Sequence, residues 1–465
     1  MFLFLYNMIL ITSFPIVMGL LLTTKRCQRG ILARLGKVPD GLQGLSAPVV
    51  WVHAASLGEV TAVVPLIRAM KDKDPRQVFV VSTVTETGRE MVLNRLQGIA
   101  IHCYAPLDFC WAVTRYVRAL NPHMFILVES EIWPNLLTRL HQQQVPICLV
   151  NGRISSRSFS RYRLVKSFMM PIWASLDMAL MQTAQDAERI KELGAKAKNV
   201  HVTGNMKFDQ SFERSDHREV TKTIRHLLGI KDFELVIVAG STHPQEEEIL
   251  LRAYQDLSRT QKHVVLVMAP RHIERASGLE DIIRCHGLTC VRRSQMTDGQ
   301  PGTIDDQLPR VILLDSRGEL PNVYSVGVLG VVGGTFVSIG GHNLLEPAQW
   351  ARPVVFGPHV DHCRDLARQL LDAGGAIQIH QPDTLLPHLL HLIEHPVEAD
   401  QMGEKALSVI HRNRGVVREN LRMIHQLAIF PDSTALDSPS AGVDSVLPPQ
   451  RREGDRYESS STISS

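Results

Sequence analysis

The most restrictive feature of the chain is a repeated alternation. Short, uniformly apolar runs rich in Val and Ile are separated by stretches of helical period. Runs at 49–52, 78–81, 124–128, 147–150 and 176–181 form a first series, and runs at 235–238, 264–267, 311–314, 326–332 and 353–356 form a second. A strand with one wet face alternates apolar and polar residues. A strand that is apolar throughout is covered on both faces, as in a parallel sheet flanked by crossover helices. The pattern predicts an α/β chain with two Rossmann-like, doubly wound halves and a polar junction near residues 209–220. Two such halves facing each other would leave a cleft at the carboxyl ends of their strands, where open α/β sheets bind ligands. The expected division is an anchor at 1–24, a first domain at 25–205, a linker at 206–231, a second domain with closing helices at 232–430 and a tail at 431–465.

Composition narrows the function. The length of 465 residues gives each half room for its own core. With Lys+Arg 50 against Asp+Glu 47, the chain lacks the basic excess that a phosphate-backbone binder needs, which argues against nucleic acid as a partner. The seven cysteines form no Cys-x-x-Cys pair, so neither a zinc ribbon nor a thioredoxin-type site is visible, and free buried thiols in a reducing compartment are expected. The Ser/Pro-rich end, with few large apolar residues, is expected to be disordered.

The N-terminus is different again. No charged residue occurs from Met1 to Thr24, and Phe2–Leu22 is mostly Leu, Ile, Phe, Val and Met, interrupted by Asn7 and Pro15. A helix of that length, at about 1.5 Å per residue, matches a bilayer core of about 30 Å. The basic residues after it, Lys25, Arg26, Arg29, Arg34 and Lys37, put the body on the cytoplasmic side. A surface-lying hairpin or a re-entrant helix would tether the body equally well.

No Gly-x-Gly-x-x-Gly follows the opening strand of either half, and neither a P-loop nor a Gly-x-Ser-x-Gly elbow is present. His359-x-x-His362-Cys363 lacks a fourth partner at a telling distance, so no metal site is expected. Six segments carry chemical potential. Ser56-Leu57-Gly58-Glu59 opens a helix, whose dipole favours an ionised Glu59 able to act as a general base; a plain first-turn Glu fits the same pattern. Glu129 and Glu131 alternate beyond the strand 124–128 and could share a face. Lys207, at the domain junction, can meet an anionic group or form an interdomain salt bridge. Arg271, after Ala269-Pro270, suits a bidentate grip on phosphate or carboxylate. Arg317-Gly318-Glu319 forms a turn after another strand. The segment from Gly333-Gly334-Thr335 to Gly340-Gly341-His342-Asn343-Leu344-Leu345-Glu346 opens into a helix, with backbone amides expected to be free for a phosphate and Glu346 able to accept from a ribose diol. The Gly-rich loop, Glu346 just inside the following helix and the strand-end Arg271 together make the pattern expected of a nucleotide-sugar site.

Six ordered motifs resemble the Kdo transferases, which transfer 3-deoxy-D-manno-octulosonic acid. They are Ser56-Leu57-Gly58-Glu59, Glu129-Ser130-Glu131-Ile132-Trp133-Pro134-Asn135, Gly204-Asn205-Met206-Lys207-Phe208-Asp209, Gly240-Ser241-Thr242-His243, Ala269-Pro270-Arg271-His272 and Gly340 through Pro347. The resemblance covers the chain to about residue 430. It implies a GT-B fold and transfer of Kdo from CMP-Kdo to the lipid A precursor (lipid IVA) at the cytoplasmic face of the inner membrane. Transfer would invert the anomeric centre and use no metal or cofactor. By position, the resemblance makes Glu59 the proton acceptor and Glu129 and Lys207 the transition-state stabilisers. Pro270, Arg271, Arg317, Gly318, Glu319, Asn343, Leu344, Leu345 and Glu346 become the CMP contacts. Where the family usually carries Ala-Asp ahead of the Gly-Gly strand, this chain has Val326-Gly327. Another GT-B glycosyltransferase or an epimerase, using a UDP-sugar, is the alternative.

Overall fold

Strands β1 (Val49–His53), β2 (Val78–Thr83), β3 (Ala100–Tyr104), β4 (Met124–Val128), β5 (Ile147–Gly152), β6 (Met178–Met181) and β7 (Val200–Val202) form one sheet in the order β3-β2-β1-β4-β5-β6-β7. Strands β8 (Leu235–Thr242), β9 (Val264–Pro270), β10 (Thr289–Arg292), β11 (Arg310–Leu313), β12 (Leu329–Val332), β13 (Val354–Phe356) and β14 (Ala376–Gln378) form a second, ordered β10-β11-β9-β8-β12-β13-β14. All pairings are parallel. The structure is a computed structural model describing residues 2–23, 30–45, 47–209, 217–296 and 309–427. The expected tail, the basic stretch 24–29 and part of the linker lie outside the described residues.

The central strands match the apolar runs because both of their faces are covered. Val50, Trp51 and Val52 of β1 and Val331 of β12 are fully buried. The four strands that the sequence pattern did not reveal, β3, β7, β10 and β14, are the four sheet edges. An edge pairs on one side and stays wetter: β10 is half-buried along its whole length, and β3 carries His102 and Tyr104. That dilutes the apolar signal.

Winding reverses where β1 meets β4 in the first sheet and where β8 meets β12 in the second. At such a switch point neighbouring strands send their connections to opposite faces, which opens a crevice at the carboxyl ends. Glu59, Glu129 and the glycine-rich loop lie beyond the ends of β1, β4 and β12, whereas Lys207, Arg271 and Arg317 follow β7, β9 and β11.

The chain divides into two units, one spanning residues 1–210 together with 415 onward, the other 211–414. The last described helix, Val416–Leu427, thus joins the first unit, whereas the sequence pattern grouped it with the second domain. Asp209 fixes it there by accepting from the Gly415 N–H at 2.6 Å and the Val417 N–H at 2.5 Å, satisfying donors at the helix start. The six described cysteines are free; Cys103 and Cys148 are buried, but Cys110 and Cys285 are exposed, unlike the expected buried thiols.

Phe2–Thr23 is helical. Among the described residues, no helix is long and apolar enough to cross a membrane. Asn7, an interruption in the apolar run, is a docking residue. Its side-chain amide donates to Asn135 Oδ1 at 3.0 Å and accepts from Asn135 Nδ2 at 2.7 Å. Beside this pair the Tyr6 hydroxyl donates to Asp108 at 2.9 Å, and Phe14 packs edge-on against Phe109. Arg34, counted among the basic residues after the helix, is buried and donates to the Val84 carbonyl, so it presents no charge to a surface.

Candidate active site

In the first unit the site grows from the β1–β4 switch point. After β1 the chain turns into the helix Leu57–Lys73, with Ser56 as its N-cap. Glu59 reaches back over the helix start: Oε1 accepts from the Ser56 hydroxyl at 2.8 Å and Oε2 from the Ala55 N–H at 2.8 Å. The carboxylate is therefore fixed in place yet keeps lone pairs for a further donor. Glu59 is 7% exposed. Burial, reinforced by the nearby Glu129 charge, pushes its carboxyl up to about 7 against the lowering effect of its two hydrogen bonds. The expectation that the helix dipole would hold Glu59 ionised is thus reversed, because desolvation in the crevice outweighs a partial charge.

The strand β4 ends at Val128, and Glu129 has φ 60. A non-glycine residue in the left-handed region is strained and breaks the strand alternation. Glu129 and Glu131 therefore do not share a strand face, though both charges still act on Glu59. Glu129 meets Lys207, with Nζ 3.3 Å from Oε1. Lys207 lies in the short turn Met206–Asp209, held by Met206 N–H donating to Asn151 Oδ1 at 3.0 Å. Glu131 Oε2 lies 3.8 Å from His53 Nε2. That nitrogen accepts from the Trp133 indole at 3.2 Å while Nδ1 faces Ser82 Oγ at 3.0 Å, so the ring carries its hydrogen on Nδ1. The first unit thus collects Glu59, Glu129, Glu131 and Lys207 around one buried carboxyl. The motif patterns did not disclose the supporting roles of His53 and Asn151, which come from different strands.

In the second unit Pro270 is the last residue of β9, and Arg271 follows with its N–H on the Thr242 carbonyl at 2.9 Å and its side chain exposed. Gly318 has φ 84, a conformation glycine adopts freely; the exposed Arg317 precedes it, and Glu319 follows, paired with Arg293 at 3.2 Å. Asn343 donates to Glu346 Oε1 at 3.2 Å, and burial pushes the Glu346 carboxyl up to about 7 despite that bond and the Arg271 charge. Leu344 and Leu345 are buried.

The glycine-rich loop differs from expectation. Glu246, fully buried, accepts from the Gly334 N–H at 2.6 Å, the Phe336 N–H at 3.3 Å and the His243 N–H at 2.7 Å. Gly333 N–H donates to the Gly240 carbonyl and Gly341 N–H to Gly334. Of the loop amides expected to be free for a phosphate, those of Gly333, Gly334, Phe336 and Gly341 are thus engaged within the protein, and the following helix, Leu345–Ala348, is a single turn. Beside the loop, the exposed Arg271 offers a side-chain cation for an anion. Glu246 was the residue most thoroughly missed, since nothing local distinguishes it from its neighbours Glu247 and Glu248. Among the described residues, no group of three or more His, Cys, Asp or Glu is placed to hold a metal ion.

Two parallel doubly wound units, each carrying candidate groups beyond the carboxyl ends of its strands, define a protein of the GT-B-like α/β class. The crystal structure of UDP-GlcNAc 2-epimerase from Neisseria meningitidis bound to UDP-GlcNAc has this fold, with a TM-score of 0.55, 13% identity and coverage of 81% of this chain and 100% of that one. The family model described as 3-deoxy-D-manno-octulosonic-acid transferase (kdotransferase) matches residues 29–210. The 3-deoxy-D-manno-octulosonic acid transferase of Bordetella pertussis is 32% identical over 399 residues, 84% of this chain and 90% of that protein. The one from Rickettsia felis is 31% identical over 379 residues, 81% and 78%. The chain belongs to the 3-deoxy-D-manno-octulosonic acid (Kdo) transferase family of glycosyltransferases.

Proposed function

We propose that the chain transfers Kdo from CMP-Kdo to the lipid A precursor, lipid IVA, in lipopolysaccharide core assembly, inverting the anomeric centre without a metal. The observation that carries this reading is Glu59: a buried carboxyl, positioned by two hydrogen bonds, with its ionisation lifted to about 7. A general base works best when its pKa lies near the operating pH. In the proposed step a hydroxyl of the acceptor attacks the anomeric carbon of Kdo. Its proton passes to Glu59, the bond from that carbon to the CMP phosphate oxygen breaks, and the bonding pair leaves on the phosphate. Attack from the face opposite the leaving group inverts the centre.

Lys207, oriented by Glu129, offers positive charge to the carboxylate-bearing sugar as the bond breaks. In the second unit Arg271 meets the phosphate, Glu346 accepts from the ribose hydroxyls, and Pro270, the Arg317-Gly318-Glu319 turn and Asn343 through Leu345 hold the nucleotide. Cytidylate is a good leaving group, which lessens the need for a metal.

The acceptor is a lipid, and the helix Phe2–Thr23 suits one. Its docked side holds Tyr6 and Asn7 against the body, while Phe4, Leu5, Ile9, Ile11 and Ile16 are exposed. An apolar exposed helix face binds the bilayer interface and keeps the enzyme where its acceptor resides. This reading puts the protein at the cytoplasmic face of the inner membrane.

The test is Glu59→Gln with folding checked by circular dichroism. Transfer from CMP-Kdo to the lipid acceptor, read by mass spectrometry, is expected to fall by about 10² or more; retained transfer would remove Glu59 from the role of base. Calorimetry of CMP against UDP distinguishes this reading from a UDP-sugar enzyme, which would bind UDP instead.

A further inference from the structure

Two histidines that neither the fold nor the transfer step accounts for meet at the β8–β12 switch point. His243 follows β8, and His342 lies in the loop after β12. Their Nε2 atoms are 2.8 Å apart, with ring planes within 5° of parallel and centroids 5.1 Å apart. Two imidazole nitrogens can face each other at that distance only if one hydrogen lies between them: one ring donates and the other accepts. The pair is therefore neutral, or singly charged as an imidazolium bonded to an imidazole. A double charge would set two N–H groups against each other.

The surroundings fix which state the pair holds in the free protein. From the segment after β9 come Arg271, Arg275 and His272, whose ring lies 5.8 Å from that of His243. From the segment after β13 comes His362, against the Gly340 turn. The acids nearby are already engaged. Glu246 accepts three amides, Glu247 takes both Arg275 guanidinium nitrogens at 3.1 and 2.9 Å, and Glu274 lies 3.4 Å from His272. Glu346 is held by Asn343 and faces Arg271. Burial first, and then this cationic neighbourhood, pushes His342 down to about 4 and lowers His243. At neutral pH the pair is uncharged.

We propose that His243 and His342 are a proton-sharing pair that takes up one proton when the phosphate of the donor nucleotide binds beside Arg271, adding a positive charge to the anion site. The proposal rests on reading the second unit as the donor site. A phosphate dianion reverses the sign of the local field, and the pair answers by binding a proton while keeping its N···N hydrogen bond. The sign follows from linkage: the pair's pKa is higher in the complex than in the free protein. The affinity gain is complete below the free-state pKa and is lost as pH rises through the bound-state pKa.

Isothermal titration of CMP into the whole protein, in two buffers of different ionisation enthalpy, measures this. At pH 7.5 the CMP phosphate is already a dianion, its second pKa being about 6. The wild-type protein is expected to take up a substantial fraction of one proton per CMP, with Kd rising between pH 6.5 and 8.5. His342→Gln preserves an amide partner for His243 but cannot take a proton. Its proton uptake is expected to fall clearly below that of the wild type and its Kd to vary less with pH, and the double variant His243→Gln/His342→Gln is expected to lose both effects. His243→Gln is expected to behave alike. CMP binding by the wild type without proton uptake overturns the proposal, as does unchanged uptake in both folded variants. Absence of CMP binding altogether instead sinks the nucleotide reading of this unit, and the pair's role falls with it.

Discussion

Lys207 Nζ lies 3.3 Å from Glu129 Oε1, and the Glu129 charge in turn raises Glu59. The three side chains come from the turn before residue 210, the end of β4 and the helix after β1. The ion pair is about a third exposed, so its contribution to stability is small. Its consequence is electrostatic, at the reacting atoms. Lys207→Ala is expected to lower kcat for Kdo transfer by about 10² to 10³, with KM and melting temperature little changed. Steady-state kinetics beside a thermal melt checks this.

Glu129 keeps a left-handed backbone that only its position in the site explains. Glu129→Gly removes both the strain and the charge. The variant is expected to be as stable as the parent, or more stable by about 1 kcal/mol, while transfer is lost. Chemical denaturation with parallel activity assays would show it; a destabilised but active variant contradicts the assignment.

The raised Glu59 carboxyl sets a pH dependence of known sign. Because the base must be ionised, kcat should climb through an apparent pKa near 7 and level off above it. Glu129→Gln, by removing the second cause of the shift, should move that limb to lower pH in whatever activity remains. For stability the folded state binds the proton more tightly than the unfolded state, whose carboxyl has its ordinary value near 4.5. Between pH 4.5 and 7 the Glu59 contribution therefore falls as pH rises, and it is flat above 7. Melting temperatures of wild type and Glu59→Gln across that range isolate it.

Glu246 braces the glycine loop by accepting three N–H groups in a fully buried place. Glu246→Ala strands those donors and is expected to cost about 3 kcal/mol or more. Glu246→Gln, keeping one acceptor oxygen, should cost less while weakening CMP binding. Urea denaturation and nucleotide titration separate the two effects.

Asn7 and Asn135 exchange two side-chain hydrogen bonds, and Asn135 also donates its backbone N–H to Asp108 at 2.9 Å. Asn135→Ala removes both bonds to Asn7 and the one to the Asp108 carbonyl, loosening the N-terminal helix and leaving a buried polar group unmet, at a cost of about 1–3 kcal/mol. Asn7→Ala should loosen only the helix. Proteolysis of the N-terminal segment would report it, with the body remaining intact.

The central strands of both sheets were legible in sequence. Their residues are apolar on both faces, and that property is written locally, residue after residue. The strand-end segments were legible for the same reason: a strand placed in the chain also places the residues just beyond its carboxyl end. The edges escaped because half of their surface is wet. Asn7 read as a flaw in an apolar helix because its partner, Asn135, is 128 residues away.

By itself, then, the sequence determined two doubly wound α/β units and the order of their strand-end motifs, along with Glu59 and Arg271 as residues to watch. Tertiary structure alone decided that the Glu59 carboxyl is lifted to about 7, that the Gly334 and Phe336 amides belong to Glu246, and that His243 and His342 share a hydrogen. Periodicity encodes which face of an element is dry. Desolvation, field and hydrogen-bond competition depend on groups that folding brings together from distant parts of the chain, so no local pattern records them.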